Sequence, residues 1–336
     1  MKIRIILFLF MLLPFGAAFA QNKPSLPEID RIRIAEAFRI GRTLGNKVWQ
    51  DWDKAPFAVL LVTPENEFLI RHPKPSADFV SIGYDSLLKS DVYSRQRIFN
   101  PNLLATFPAV GGISTIVIGQ AENTAKKNST DWVITMLHEH FHQLQNSQPG
   151  YYADVTALNL SGGDTTGMWM LNYAFPYSDP KIKEQFIIVG KLLAEAVQAK
   201  PKKKFSARLA HYLEARRKLE AMLKPADYKY FSFQLWQEGA ARYTEYRIAE
   251  LAAGGYRPSK EFRNLGDYKS FRTVADETAK NILNELTTLR LENYGRVAFY
   301  SLGAGEALLL DRANPKWRKR YFADKFSFDK YFDEAK

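Results

Sequence analysis

Residues His138-Glu139-His140-Phe141-His142 carry the spacing H-E-x-x-H. On a helix, side chains four apart stand one above the other, so the imidazoles of His138 and His142 can converge on a single metal ion. Glu139 lies about 100° round the same helix. It is badly placed to join both histidines as a ligand, but its carboxylate can take a proton from a water held by the metal, which is the chemistry of zinc-dependent hydrolysis. Histidines also serve as satisfied core or surface residues, yet here three of the chain's five fall within five positions. His140, about 200° from either partner, is expected to face elsewhere as a packing or supporting residue. A strand would instead put all three histidines on one face. The flank Trp132-Val133-Ile134-Thr135-Met136-Leu137 has neither β-alternation nor a helix breaker and argues for the helix.

That helix is predicted from Asp131, taken as its cap, to about Gln145, with no proline before Pro149. Catalytic zinc usually takes three protein ligands and leaves one position for water. The chain has no cysteine, so the third ligand must be a downstream carboxylate or imidazole. Glu238-Gly239-Ala240-Ala241-Arg242-Tyr243 is the best candidate: a carboxylate after the apolar Phe233, Leu235 and Trp236, followed by three small residues that would let its helix approach the metal helix. Glu245, seven residues on and roughly on the same face, is the reserve ligand.

With these residues the chain resembles the gluzincin metallopeptidases, and especially their aminopeptidase N-like branch, in which the glutamate ligand opens an E-G-x-A-x-Y helix. The resemblance extends to Tyr300-Ser301-Leu302-Gly303, similar to the Y-x-x-G helix start whose tyrosine stabilises the tetrahedral intermediate. Tyr300 follows Glu238 by 62 residues; as an aromatic beside Phe299 it also fits a core position. There are departures. His142 and Glu238 are 96 residues apart, which requires a helical insertion, and no G-x-M-E-N motif precedes the metal helix, so aminopeptidase specificity is not implied. Arg242 stands where thermolysin-like members have an aspartate, so a supporting carboxylate for His138 or His142 must come from elsewhere.

The elements that position these residues read as α+β: a β-containing N-terminal lobe with the H-E-x-x-H helix, then a mainly α-helical C-terminal lobe, zincin-like by the resemblance. The boundaries expected are 21–146 and 147–336. A helix is predicted over Pro27 to about Trp52, then a hairpin of Phe57 to Val62 and Glu67 to Ile70 around Pro64-Glu65-Asn66. Asp78 to Gly83 and Ile113 to Gly119 are further strands. If the latter is an edge strand, it can pair with an extended peptide backbone over the ion; the alternative is an interior strand. The aromatic segment from Gly150 to Pro180 can line a pocket or pack as a structural loop. Beyond it helices are predicted at 182–199, 205–223, 231–253, 268–289 and 294–311.

Residues 1–20 read as a secretory leader: Lys2 and Arg4, an apolar run from Ile5 to Leu13, and Ala18-Phe19-Ala20. The expected product is exported to a periplasm or the medium, with no transmembrane segment. The net charge of +11 invites a nucleic-acid reading. However, Lys200-Pro201-Lys202-Lys203-Lys204 fits a solvated loop between helices, and no nucleic-acid module accompanies it. The function expected is hydrolysis of a peptide or protein substrate by a zinc-activated water, with Glu139 as general base and Tyr300 as oxyanion donor. The alternatives are an inactive binding or assembly protein of the same fold, and a zinc hydrolase of another amide or ester.

Overall fold

Residues 24–334 are described by a computed structural model; the expected leader lies outside them. The chain enters through α1 (Glu28–Val48), whose apolar positions Ile34, Ala37, Phe38 and Leu44 are buried. It then builds six strands: β1 (Val59–Val62), β2 (Asn66–Ile70), β3 (Val80–Asp85), β4 (Ser90–Gln96), β5 (Leu104–Val110) and β6 (Ile113–Gly119). Their order is β3-β4-β2-β1-β6-β5. β1 and β6 are parallel, and every other pairing is antiparallel.

Side chains alternate between the two faces of a strand. Val59, Leu61, Phe68, Ile70, Ile116 and Ile118 point one way, into the main core beneath the helices. Leu60, Val62, Leu69 and Val117 point the other way, onto a small cluster closed by Phe79 and Val110. Covered on both faces, β1 and β6 are therefore almost continuously apolar. β6 is an interior strand, the second of its two alternatives; β5 occupies that edge and carries the exposed Pro108, a residue confined to such positions because it has no N–H to donate.

α2 (Ser129–Asn146) follows β6 after a short 3₁₀ turn (Ala121–Asn123). Its cap is Asn128, whose side chain accepts from Asp131 N, so Asp131 belongs to the first turn instead. The rest is helical: α3 (Tyr151–Ala157), α4 (Trp169–Asn172), α5 (Pro180–Gln198), α6 (Lys202–Met222), α7 (Pro225–Gln234), a π-turn (Leu235–Gly239), α8 (Ala240–Ala253), α9 (Lys260–Arg263), α10 (Phe271–Thr288), α11 (Leu291–Tyr294), α12 (Ala298–Ala313) and α13 (Asp329–Asp333). Lys202, Lys203 and Lys204 are solvent-exposed, but they form the first turn of α6 where a loop was expected. The main core draws on residues before and after position 147 alike, from Leu26 to Phe332. Among the described residues no helix is long and apolar enough to cross a membrane.

Candidate metal centre

α2 is buried along nearly its whole length, so both imidazoles are presented to the interior. His138 Nε2 and His142 Nε2 lie 3.1 Å apart, and Glu238 Oε2 is 3.6 Å from the first and 3.5 Å from the second. Atoms bonded at 2.0–2.1 Å to one tetrahedral ion stand roughly 3.3–3.4 Å from each other, by the geometry of the tetrahedron. The three separations bracket that value, so the donor set fits zinc.

The far side of each ring is also held. His138 Nδ1 meets Glu245 Oε1 at 2.8 Å, and Arg242 grips the other oxygen of Glu245 at 2.6 Å. Glu245 is thus no ligand but the carboxylate behind His138, and Arg242, the departure in the motif, tethers it. His142 Nδ1 meets Gln145 Oε1 at 2.6 Å, with Gln237 Nε2 at 3.2 Å. Acceptors at both Nδ1 atoms favour the tautomers that leave the Nε2 lone pairs free for a metal.

Electrostatics follow from this crowding. Burial alone would lower the pKa of His138, but Glu238 and Glu245 beside it push it up to about 10. Burial likewise opposes the Glu238 carboxylate, while His142 and His138 hold its pKa well below the usual range. Arg242 and His138 do the same for Glu245.

Glu238 sits in the π-turn between α7 and α8. One-turn π segments widen a helix locally and occur often at functional positions. The carbonyls of Trp236 and Gln237 accept from Gln145 Nε2 at 3.4 and 3.1 Å, and Tyr321 O–H donates to Trp236 O at 2.5 Å. Gln145 therefore links His142 to the backbone that carries Glu238. The small residue after Glu238 serves a different neighbour from the one expected. A Cβ on Gly239 would lie 2.4 Å from Gly303 Cα, so at this point the π-turn crosses α12, not α2.

That crossing sets Tyr300 beside Glu238, whose carboxylate its hydroxyl engages. Arg296, one turn earlier, donates to the Tyr300 hydroxyl and lies 3.5 Å from Glu238 Oε1. Burial and the Glu238 charge drive the Tyr300 pKa far above 10, so it is a phenol at neutral pH and can donate a hydrogen bond. On the other side, Glu139 Oε2 accepts from Thr106 Oγ1 of the edge strand β5 at 2.7 Å, and the charge of Glu139 is felt by His138. His140 turns away, as expected: its ring stacks on Phe57 with centroids 3.6 Å apart, and Nδ1 meets Gln143 Oε1. The aromatics of the 150–180 segment pack inward, Trp169 on Phe233 and Tyr173 on Tyr230.

Thr106, Gln145, Gln237 and Arg296 were not found from sequence. Two of them left a trace: Gln145 lies three residues after His142 and Arg296 four before Tyr300, spacings that share a helix face. Comparison of the chain with protein-family models, with curated proteins and with solved structures finds no match.

Proposed function

We propose that this chain is a zinc-dependent peptide hydrolase of zincin-like fold, with His138, His142 and Glu238 as ligands. The observation that carries the reading is the approach of three donor atoms at near-tetrahedral spacing while both Nδ1 atoms are engaged elsewhere. Zinc bound there supplies Lewis acidity, polarising a carbonyl and lowering the pKa of a water toward about 7.

The side chains supply the rest. Glu139, steadied by Thr106 on one oxygen, accepts the proton of the attacking water and returns it to the leaving amine. Tyr300, kept protonated and held by Arg296, donates to the developing oxyanion. An extended substrate backbone is favoured over other amides by β5: its outer edge is unpaired among the described residues, and Thr106 on this strand touches the proposed base.

The test is a metal assay paired with digestion of a peptide library. Wild type should bind one zinc per chain and cleave. E139Q should keep zinc and lose about 10²–10⁴-fold in turnover, and E238A should lose zinc. A zinc-free wild type, or an E139Q variant that cleaves normally, refutes the reading.

A further inference from the structure

A second cluster of charges is built from residues that take no part in the candidate metal centre. A cavity of about 180 Å³ opens between the outer face of α1, the residues that follow β2 and precede β4, and the start of α9. Its apolar wall is Ile32, Ala35, Phe38 and Leu87, and around it stand Arg39, Arg42, Arg71 and Lys89 with two acids, Glu36 and Glu261.

Glu36 is already committed: it accepts from Tyr256 O–H at 2.7 Å and from Ser259 N at 3.2 Å, with Arg39 at 3.7 Å. Arg39 also donates to Arg257 O. Among the described residues no carboxylate pairs with Arg42, Arg71 or Lys89. Three unpaired cations thus face one free acid, Glu261, an excess of two positive charges.

Arg71 is the residue held most firmly. Its Nε and Nη2 donate to Leu88 O at 3.2 and 2.9 Å, its guanidinium lies 3.6 Å over the Phe38 ring, and among the described residues Nη1 makes no hydrogen bond. Its backbone is left-handed at φ 54°, and so is that of Lys89 at φ 52°. Non-glycine residues take that conformation at a cost that recurs at ligand-binding positions. Burial and the nearby Arg42 both push the Arg71 pKa down, which is the sign of a cation kept where no protein anion relieves it.

We propose that this cavity binds a small phosphate monoester carrying a short aliphatic stem. The excess of two cationic charges matches a group of −1.5 to −2 charge at neutral pH, and the guanidinium edge of Arg71 suits phosphate oxygens. The stem lies on Ile32, Ala35 and Phe38. At about 180 Å³ the cavity is below the roughly 300 Å³ at which cofactor-sized pockets begin, which suits a small ligand.

The probe is n-butyl phosphate, titrated calorimetrically into the full chain beside butyrate and vesicles of phosphatidylglycerol. Saturable one-to-one binding of n-butyl phosphate, tighter than butyrate, is expected. R71Q should weaken it at least about tenfold, the loss of one charged hydrogen bond. Because Arg71 also anchors Leu88, the double variant R42Q/K89Q, whose side chains make no hydrogen bond or ion pair among the described residues, should weaken binding by a similar factor while the fold stays intact. K202Q/K203Q, with the same change of net charge elsewhere, should bind like wild type. Absence of saturable binding, equal losses in the two double variants, or binding to vesicles alone would overturn the proposal.

Discussion

Gly239 directly follows the proposed ligand Glu238, and Gly303 lies one turn beyond Tyr300, so the place where these glycines touch sets the distance between the two functional side chains. A Cβ at position 239 would meet Gly303 Cα at 2.4 Å and its carbonyl carbon at 2.8 Å, whereas ordinary contact begins near 3.4 Å. Both obstacles are backbone, so no side chain can swing aside. G239A therefore has to part the π-turn from α12 by about 1 Å, the shortfall between 2.4 and 3.4 Å. Overpacking of this kind typically costs about 1–3 kcal/mol of stability, and a misplacement of roughly 1 Å at a reacting centre costs about a hundredfold in rate. The expected outcome is a folded protein with lower Tm, weaker zinc binding and turnover reduced about a hundredfold. G266A is the control, since nothing lies within 4 Å of a Cβ there. Zinc titration, thermal unfolding and peptide turnover of the two variants, measured side by side, decide the matter. A G239A protein with wild-type zinc affinity and rate would show that the crossing does not position Glu238 and Tyr300.

E245Q keeps the shape of the side chain but removes the charge between His138 Nδ1 and Arg242, and should weaken zinc about 10–100-fold; competition with a fluorescent chelator reads this out, and unchanged affinity would exclude Glu245 as the group that orients His138. Burial against Phe57 lowers the pKa of His140 to about 3, so between that value and its ordinary 6.5 the unfolded chain binds a proton that the folded chain refuses. Stability from this group is complete above pH 6.5 and falls as the solution is acidified, by about 1.4 kcal/mol per pH unit and on the order of 4–5 kcal/mol in all. Urea unfolding of metal-free protein across that window should show H140F with a slope smaller by nearly one proton, and identical slopes for the two proteins would contradict a neutral buried His140.

How much of this was legible in the sequence depended on whether a signal was local. The H-E-x-x-H helix could be read because an apolar run, a motif and a breaker fall within twenty residues, and the place of Glu238 beside it because a buried carboxylate requires a partner. β4 and β5 were missed. Ser90–Gln96 is largely polar, and Leu104–Val110 contains Pro108; neither looks like a strand until the sheet supplies its neighbours. With β5 missed, edge and interior both stayed open for β6. The error has a physical root: strand position in a sheet is decided by pairing between distant segments, which composition does not encode.

The supporting contacts of the centre divide in the same way. Gln145 and Arg296 sit at helical spacing from the residues they hold, so each pair is a local event. Thr106 to Glu139, Glu245 to His138 and Gln237 to His142 join different elements. Of these, Glu245 was named as the reserve ligand, whereas it stands behind His138 at Nδ1. A ligand and the carboxylate behind a ligand look alike in sequence, since both are acids on the inward face of one helix. What separates them is the π-turn, which holds Glu238 at the imidazole Nε2 atoms, while the first turns of α8 bring Glu245 to Nδ1 on the far side of His138. The same geometry explains why Arg242 does not disrupt the site: three residues before Glu245 it is that residue's counter-ion, so the cation that breaks the expected motif neutralises the acid that replaces it.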